Sequence, residues 1–371
     1  PLPTPSTTLL PLPLLPLASL QDMPLADGLG HVHTLNAIQT QVFHTLSHSR
    51  ANVLLCAPYG SGKWTAALFA IARAFKQDSE AGGAASSSKN SAALLGIILI
   101  IEPDAKRIGS RVDTLTKLAP FLGDINSVHA SSTLEHCVPR SIVIMTPADA
   151  ANALSGATAA HAQLPTLSLV VCLHIHKLTP AYELAIMQIR RTQPSRFIAT
   201  AQCLSTAASF AAWLHIPTHA MYAFAPSDTP YPVSMSFDTV DIPYSETLVR
   251  AYAKPAFDCL ETHEGEVGLL FAPTRAQCIT AAQELTARFA MKGFTAHPDV
   301  ESAAQSIQHQ GLAHLVRQGL AFWHTNLSER DRSTVERLAD MRWIRAVLCS
   351  FEAAEDVPIQ TSLVIVLGTQ Y

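Results

Sequence analysis

Short apolar runs alternate with helix-length segments along nearly the whole chain, and this alternation restricts the fold more than any other feature. The runs are Asn52–Cys56, Leu95–Ile101, Ser141–Met145, Leu167–Cys172 and Arg196–Thr200, then Val267–Phe271, Leu320–Trp323, Ile344–Cys349 and Leu363–Leu367. Runs this short and this apolar read as strands buried on both faces. Helical segments are expected at Leu35–Phe43, Lys63–Lys76, Ala105–Leu118, Pro147–Leu154, Tyr182–Arg191 and Ser205–Leu214. In the second half they fall at Arg275–Ala290, Ala303–Arg317 and Glu329–Met341. Strands separated by helices pair in parallel, so the expected class is α/β, with parallel sheets flanked by helices. A Pro-rich break at Ala225–Pro232 interrupts the alternation. It divides the chain into a Pro/Leu-rich arm (1–34), a first lobe (35–225) and a second lobe (226–371). The small polar stretch Glu80–Ala93 reads as a flexible surface insertion, and no repeat at solenoid spacing is present.

The 371 residues suffice for two ordinary cores. Hydrophobic residues make up 48% and charged residues 15%, which suits a domain that buries surface against a larger assembly. The net charge of −4 lacks the basic footprint of a dedicated nucleic-acid binder, leaving room only for a weaker or indirect RNA contact. No apolar run is long enough for a membrane span. The apolar start is broken by Pro3, Pro5, Pro11, Pro13 and Pro16 and lacks a basic leader, so it reads as an extended arm rather than a signal peptide. Seven scattered cysteines without a C-x-x-C pair imply a reducing, intracellular setting. With no initial Met and an end just past an apolar strand, the chain reads as part of something longer.

Ala57-Pro-Tyr-Gly-Ser-Gly-Lys63 follows a strand and opens a helix, the setting that a phosphate loop requires. Its glycines let backbone N–H groups converge on phosphate oxygens at a helix N-terminus, and Lys63 would reach the terminal phosphates. The next position should supply a hydroxyl to magnesium, and it is Trp64. An indole has no lone pair for a hard cation, and Thr65 is one residue out of register, about 100° around the helix.

Leu35-Asn-Ala-Ile-Gln-Thr-Gln-Val-Phe43, then Asn52-Val-Leu-Leu and this loop, resemble the start of a cassette in the tandem-cassette, Ski-two-like RNA helicases of superfamily two. Met145-Thr-Pro147, Ala211-Ala-Trp-Leu214, Lys254-Pro-Ala256, Phe271-Ala-Pro-Thr-Arg275, Leu327-Ser-Glu-Arg-Asp-Arg332 and Leu363–Tyr371 continue the resemblance in order. It implies two RecA-like lobes and a nucleotide site at Gln39, Gly60, Ser61, Gly62 and Lys63. It also implies a strand-end Asp-Glu-x-His, where the Asp holds the magnesium shell and the Glu activates water. The chain carries Leu173-His-Ile-His176 there instead. Leu173 can do neither task, and His174 alone lacks a metal to assist, although positioned general-base catalysis is worth about 10²–10⁴-fold. The family's motif three has become Ala201-Gln-Cys203 and its motif five Glu355-Asp356, while motif six would lie beyond Tyr371.

The expectation is therefore a catalytically inactive pseudo-helicase cassette with no magnesium and no working ATP site. It would act as a nuclear docking platform for spliceosomal proteins and for other domains of its own helicase, regulating an active cassette in pre-mRNA splicing. Two other readings stand beside it: an ATP-binding or weakly active cassette of the activating-signal cointegrator type, and a nucleotide sensor without hydrolysis. His174-x-His176 and His31-x-His33 share strand faces as two-ligand pairs but lack a third ligand, so structural histidines are expected. Arg190-Arg191 and Lys106-Arg107 read as solvated helix faces.

Overall fold

The computed structural model describes residues 7–20, 24–30, 32–84, 96–134, 137–159, 164–231, 233–242, 246–292, 297–324, 326–354 and 357–368. The chain divides into two compact units, Pro1–Val233 and Ser234–Tyr371, so the division falls several residues after the Pro-rich break begins. Each unit has its own hydrophobic core around its own parallel sheet, the arrangement of two RecA-like lobes.

The first lobe contains β1 (Val53–Cys56), β2 (Ile97–Ile101), β3 (Ser127–Ala130), β4 (Ser141–Met145), β5 (Leu167–Cys172), β6 (Arg196–Ala201) and β7 (Met221–Ala223). Their order in the sheet is β3-β4-β2-β5-β6-β1-β7. Its helices are α1 (Leu25–Gly28), α2 (Ala37–His48), α3 (Lys63–Ala84), α4 (Ala105–Leu122), α5 (Pro147–Ala159), α6 (Pro180–Thr192) and α7 (Ala207–Trp213). β1, β2 and β4 are buried at every position, as expected of central strands covered on both faces. β6 separates β1 from β5 in register Val53↔Ile198 and Cys172↔Ala199, which brings the ends of β1, β6 and β5 to one edge of the sheet. Ligand sites of open parallel sheets form at this edge.

The edge strands β3 and β7 escape a sequence reading because each is short and only partly buried. The arm is more than an extended lead-in: Leu17, Leu25 and Leu29 are buried in the first core, and Thr7 exchanges hydrogen bonds with Ala223 of β7. Helix α3 runs to Ala84, so Glu80–Ala84 is helical rather than loop, and residues 85–95 of the expected insertion lie outside the described residues.

The second lobe orders its sheet β11-β8-β10-β9, from β8 (Gly268–Ala272), β9 (Leu320–Trp323), β10 (Ala346–Ser350) and β11 (Leu363–Val366). Its helices are α8 (Glu246–Thr262), α9 (Arg275–Met291), α10 (Val300–Ser306), α11 (Gln310–Arg317) and α12 (Glu329–Asp340). The single helix expected over Ala303–Arg317 is two helices. The carboxylate of Asp331, 2% exposed, accepts from the backbone N–H of Gln308 at 2.9 Å and of His309 at 3.3 Å and so stabilises the break. No sequence signal marked α8, which carries Pro255 in its interior.

Candidate functional site

The loop after β1 meets the N-terminus of α2, and the two are stitched together by side chains. Asn36 caps α2 by accepting from the Gln39 N–H, and Gln39 accepts in return from the Asn36 N–H at 3.0 Å, completing a capping box. The same two side chains then reach the loop. Asn36 Nδ2 donates to the Ser61 carbonyl at 3.0 Å, and Gln39 Nε2 donates to the Gly62 carbonyl at 3.1 Å. Gly62 has φ +71, and a Cβ built there would lie 2.1 Å from Gln39 Nε2, so only glycine permits this approach.

The Lys63 ammonium is spent on its own loop. Nζ donates to the carbonyls of Ala57 at 2.9 Å and Pro58 at 2.6 Å, and to Ser61 Oγ at 3.3 Å. Burial lowers its pKa, opposed by the thiols of Cys203 and Cys56. All three ammonium donors therefore have partners without any phosphate.

Trp64 is covered by a cation. The Arg111 guanidinium lies 4.2 Å from the indole centroid, and its Nε donates to Glu102 Oε2 at 3.3 Å. Glu102 follows β2 directly and its side chain is fully buried, while Arg111 is 17% exposed. Burial raises the Glu102 pKa and the Arg111 charge pulls it back. Indole, guanidinium and carboxylate form a closed stack in which the positive charge is supplied by the protein. Neither Glu102 nor Arg111 belongs to a motif read from the sequence. The available signal was an acid placed straight after the uniformly apolar Ile97–Ile101, a position that must be buried and so must be paired.

At the end of β5, Leu173 is 2% exposed and belongs to the hydrophobic core. Its N–H donates to the Ile101 carbonyl at 3.0 Å, and its own carbonyl accepts from the buried Tyr182 hydroxyl at 2.8 Å. The chain leaves the strand at Cys172, so the expectation that His174 and His176 sit at alternate strand positions is corrected. His174 is left-handed, with φ 51, and Ile175–Lys177 is a turn of 3-10 helix. The two rings meet edge to face at 5.7 Å. Burial, reinforced by Arg107 and Arg111, lowers the His174 pKa to about 4, so its ring is neutral at pH 7. His176 Nδ1 accepts from the Gln202 N–H at 3.2 Å, joining the strand-end turn to the Ala201–Cys203 segment after β6. Its pKa is also lowered by burial.

This donor set does not fit a magnesium ion. The residue after Lys63 is an indole under a guanidinium, the strand-end pair is Leu173 and His174, and the nearby Glu102 is engaged by Arg111. Among the described residues no group of three or more His, Cys, Asp or Glu could hold a metal. His31, Glu355 and Asp356 lie outside the described residues. Of the basic pairs, Arg107 is paired with Asp104 at 3.3 Å and Arg190 Nη2 meets His215 Nε2 at 2.8 Å. In the second lobe Ser328 accepts from the Asp331 N–H and caps α12, so the Leu327–Arg332 stretch serves helix geometry there. No helix among the described residues is long and apolar enough to cross a membrane.

Residues 36–212 match the DEAD/DEAH box helicase family. The chain is 26% identical over 388 residues to activating signal cointegrator 1 complex subunit 3 of Homo sapiens, an alignment covering 99% of this chain and 17% of that protein. It is 27% identical over 390 residues to the DExH-box ATP-dependent RNA helicase DExH14 of Arabidopsis thaliana, covering 99% of this chain and 17% of that protein. It is 26% identical over 352 residues to the U5 small nuclear ribonucleoprotein 200 kDa helicase of Mus musculus, covering 91% of this chain and 16% of that protein. The chain thus spans about 17% of the length of the curated relatives it matches.

Proposed function

From a chain that carries a DEAD/DEAH box helicase domain and is homologous along its length to Ski-two-like DExH helicases, we infer a cassette that keeps the motor fold without the motor chemistry. The observation that carries this reading is the stack of Arg111 on Trp64 and its pairing with the buried Glu102. A divalent cation brought to Trp64 would meet the Arg111 guanidinium stacked there, with Glu102 already engaged by it. Phosphoryl transfer depends on positioning and on charge stabilisation by metal and cation, so losing the metal removes the larger part of catalysis. Lys63, held by three oxygens of its own loop, would have to break those bonds to grip a phosphate.

In this reading the cassette is a docking platform for protein partners and an intramolecular regulator of an active cassette elsewhere in the same polypeptide. The proposed parent is a nuclear, spliceosomal helicase of the kind that includes the U5 small nuclear ribonucleoprotein relative, with RNA contact weak or indirect. A parent of the activating-signal cointegrator type is the second reading. It is favoured by alignments that span 99% of the chain, against 91% for the U5 relative.

The test measures phosphate release by the purified chain with magnesium, with and without RNA, beside a Lys63→Ala control. The expected outcome is no release above that control. Magnesium-dependent release that RNA stimulates and Lys63→Ala abolishes would overturn the reading.

A further inference from the structure

The second lobe contains a cavity of about 320 Å³ at the C-terminal ends of β9 and β10, between α9 and α11. Its walls are apolar and aromatic, with Phe322 and Trp323 from β9, Leu348 from β10 and Ile279 from α9. Two polar atoms in these walls have no hydrogen-bond partner among the described residues: Ser350 Oγ and His324 Nδ1. Ser350 is only 3% exposed, so no bulk solvent compensates its hydroxyl. A buried hydroxyl and a buried imidazole nitrogen left unpaired in a cavity are costly unless something occupies it.

From this arrangement we propose that the cavity binds an uncharged, planar heteroaromatic molecule of purine size, a nucleobase or a nucleoside without phosphate. Four features select that chemistry. The volume sits at the small end of ligand pockets, which run from about 300 to 1,000 Å³. The aromatic wall favours a planar ring: Phe322 is stacked parallel to His324 at 5.5 Å and met edge-on by His309 at 5.2 Å. A heteroaromatic edge carries donor and acceptor positions together, which a hydroxyl and an imidazole nitrogen can satisfy, whereas an aliphatic guest would leave both unpaired. Arg275 in the lining is already paired with Glu352 at 3.3 Å, which reduces the counter-charge open to a phosphate. Burial, together with the Arg275 charge, lowers the His324 pKa, so that ring is neutral at pH 7. All the residues lining the cavity belong to the second lobe.

Calorimetric titration of the whole chain with adenosine, guanosine, adenosine monophosphate and N-acetyltryptophanamide tests the assignment. Saturable binding of at least one nucleoside is expected, with the monophosphate binding more weakly than adenosine. Ser350→Ala should weaken the nucleoside by about three- to ten-fold, the effect of one lost hydrogen bond. Ile279→Trp, at a position 49% exposed, should abolish binding by filling the mouth without disturbing the core. Lys63→Ala should leave nucleoside binding unchanged, which separates this site from the loop of the first lobe. Thermal melts of each variant establish that it is folded. The proposal is overturned if no nucleoside binds saturably, or if the monophosphate binds as tightly as adenosine. It is also overturned if the tryptophan amide alone binds, or if binding is indifferent to both Ser350→Ala and Ile279→Trp.

Discussion

Replacing Arg111 by Met removes the guanidinium that faces Glu102 while keeping an unbranched side chain over the Trp64 ring. The Glu102 side chain has no solvent exposure, and it accepts hydrogen bonds from the Asp104 N–H at 3.2 Å and from Arg111 Nε at 3.3 Å. Breaking one side of a buried ion pair costs about 3–5 kcal/mol, because the remaining charge stays buried. Arg111 is 17% exposed and Arg107 also acts on Glu102, which places the loss at the lower end, about 3 kcal/mol. The lost stacking on the indole adds about 0.5–1 kcal/mol. The double variant Glu102→Gln/Arg111→Met leaves no buried charge and should recover most of the loss, a coupling of roughly 2–3 kcal/mol. The pH dependence has a definite sign. Burial raises the folded-state pKa of Glu102, and removing Arg111 raises it further. The folded state then binds the proton more tightly than the unfolded chain does, so stability is greatest below the ordinary carboxylate pKa and is lost as pH climbs through the folded value. Arg111→Met should therefore be less damaging at pH 5 than at pH 8. Since two lobes need not unfold together, the readout is amide hydrogen exchange of the β2 segment, supported by thermal melts. A single variant that loses less than about 1 kcal/mol at pH 7.5, or a double variant no more stable than the single, would refute the reasoning.

Gly62→Ala places a Cβ 2.1 Å from Gln39 Nε2 on backbone with φ +71, and should cost about 1–2 kcal/mol from conformation alone. A fall in Tm of roughly 2–8 °C checks it, and Gln39→Ala in the same chain should add less than it does by itself. His174→Gly replaces a left-handed residue whose pKa is lowered to about 4. A depressed base contributes stability that is present above about pH 6.5 and fades as pH falls toward 4. The variant should be no less stable than the parent at pH 7 and should lose less between pH 6.5 and 4, as followed by Tm against pH. The triple variant Trp64→Thr/Leu173→Asp/His174→Glu rebuilds the metal ligands, yet Leu173 is 2% exposed, so an Asp there is unstable without a cation. Its Tm should fall in chelator and rise with magnesium, and any hydrolysis should be slow and independent of RNA. ATP-dependent unwinding by this variant would contradict the proposed role as a docking platform.

Much of the architecture was readable because its cause is local. Ile97–Ile101 and Ser141–Met145 are short apolar runs between helix-length segments, a pattern that suits strands covered on both faces, and both are strands buried at all five positions. The loop Ala57–Lys63 announced itself by its two glycines, and Leu173 by standing where the resemblance requires a carboxylate. What stayed hidden depends on partners distant in sequence. Trp64 meets Arg111 across 47 positions, and Glu102 is paired only because α4 lies over the end of β2. The break in the Ala303–Arg317 helix is stabilised by Asp331, more than twenty residues later, whose carboxylate takes the N–H groups that a continuous helix would have used. The three-residue strand β7 pairs in parallel with β1 and exchanges hydrogen bonds with Thr7 in the arm, and the strand-end histidines were misplaced because the chain turns at Leu173 rather than continuing. Apolar periodicity acts through neighbours along the chain, and one sequence displays it. The pairing of a buried charge or an unsatisfied N–H is settled by whichever group the folded lobe brings within about 3 Å.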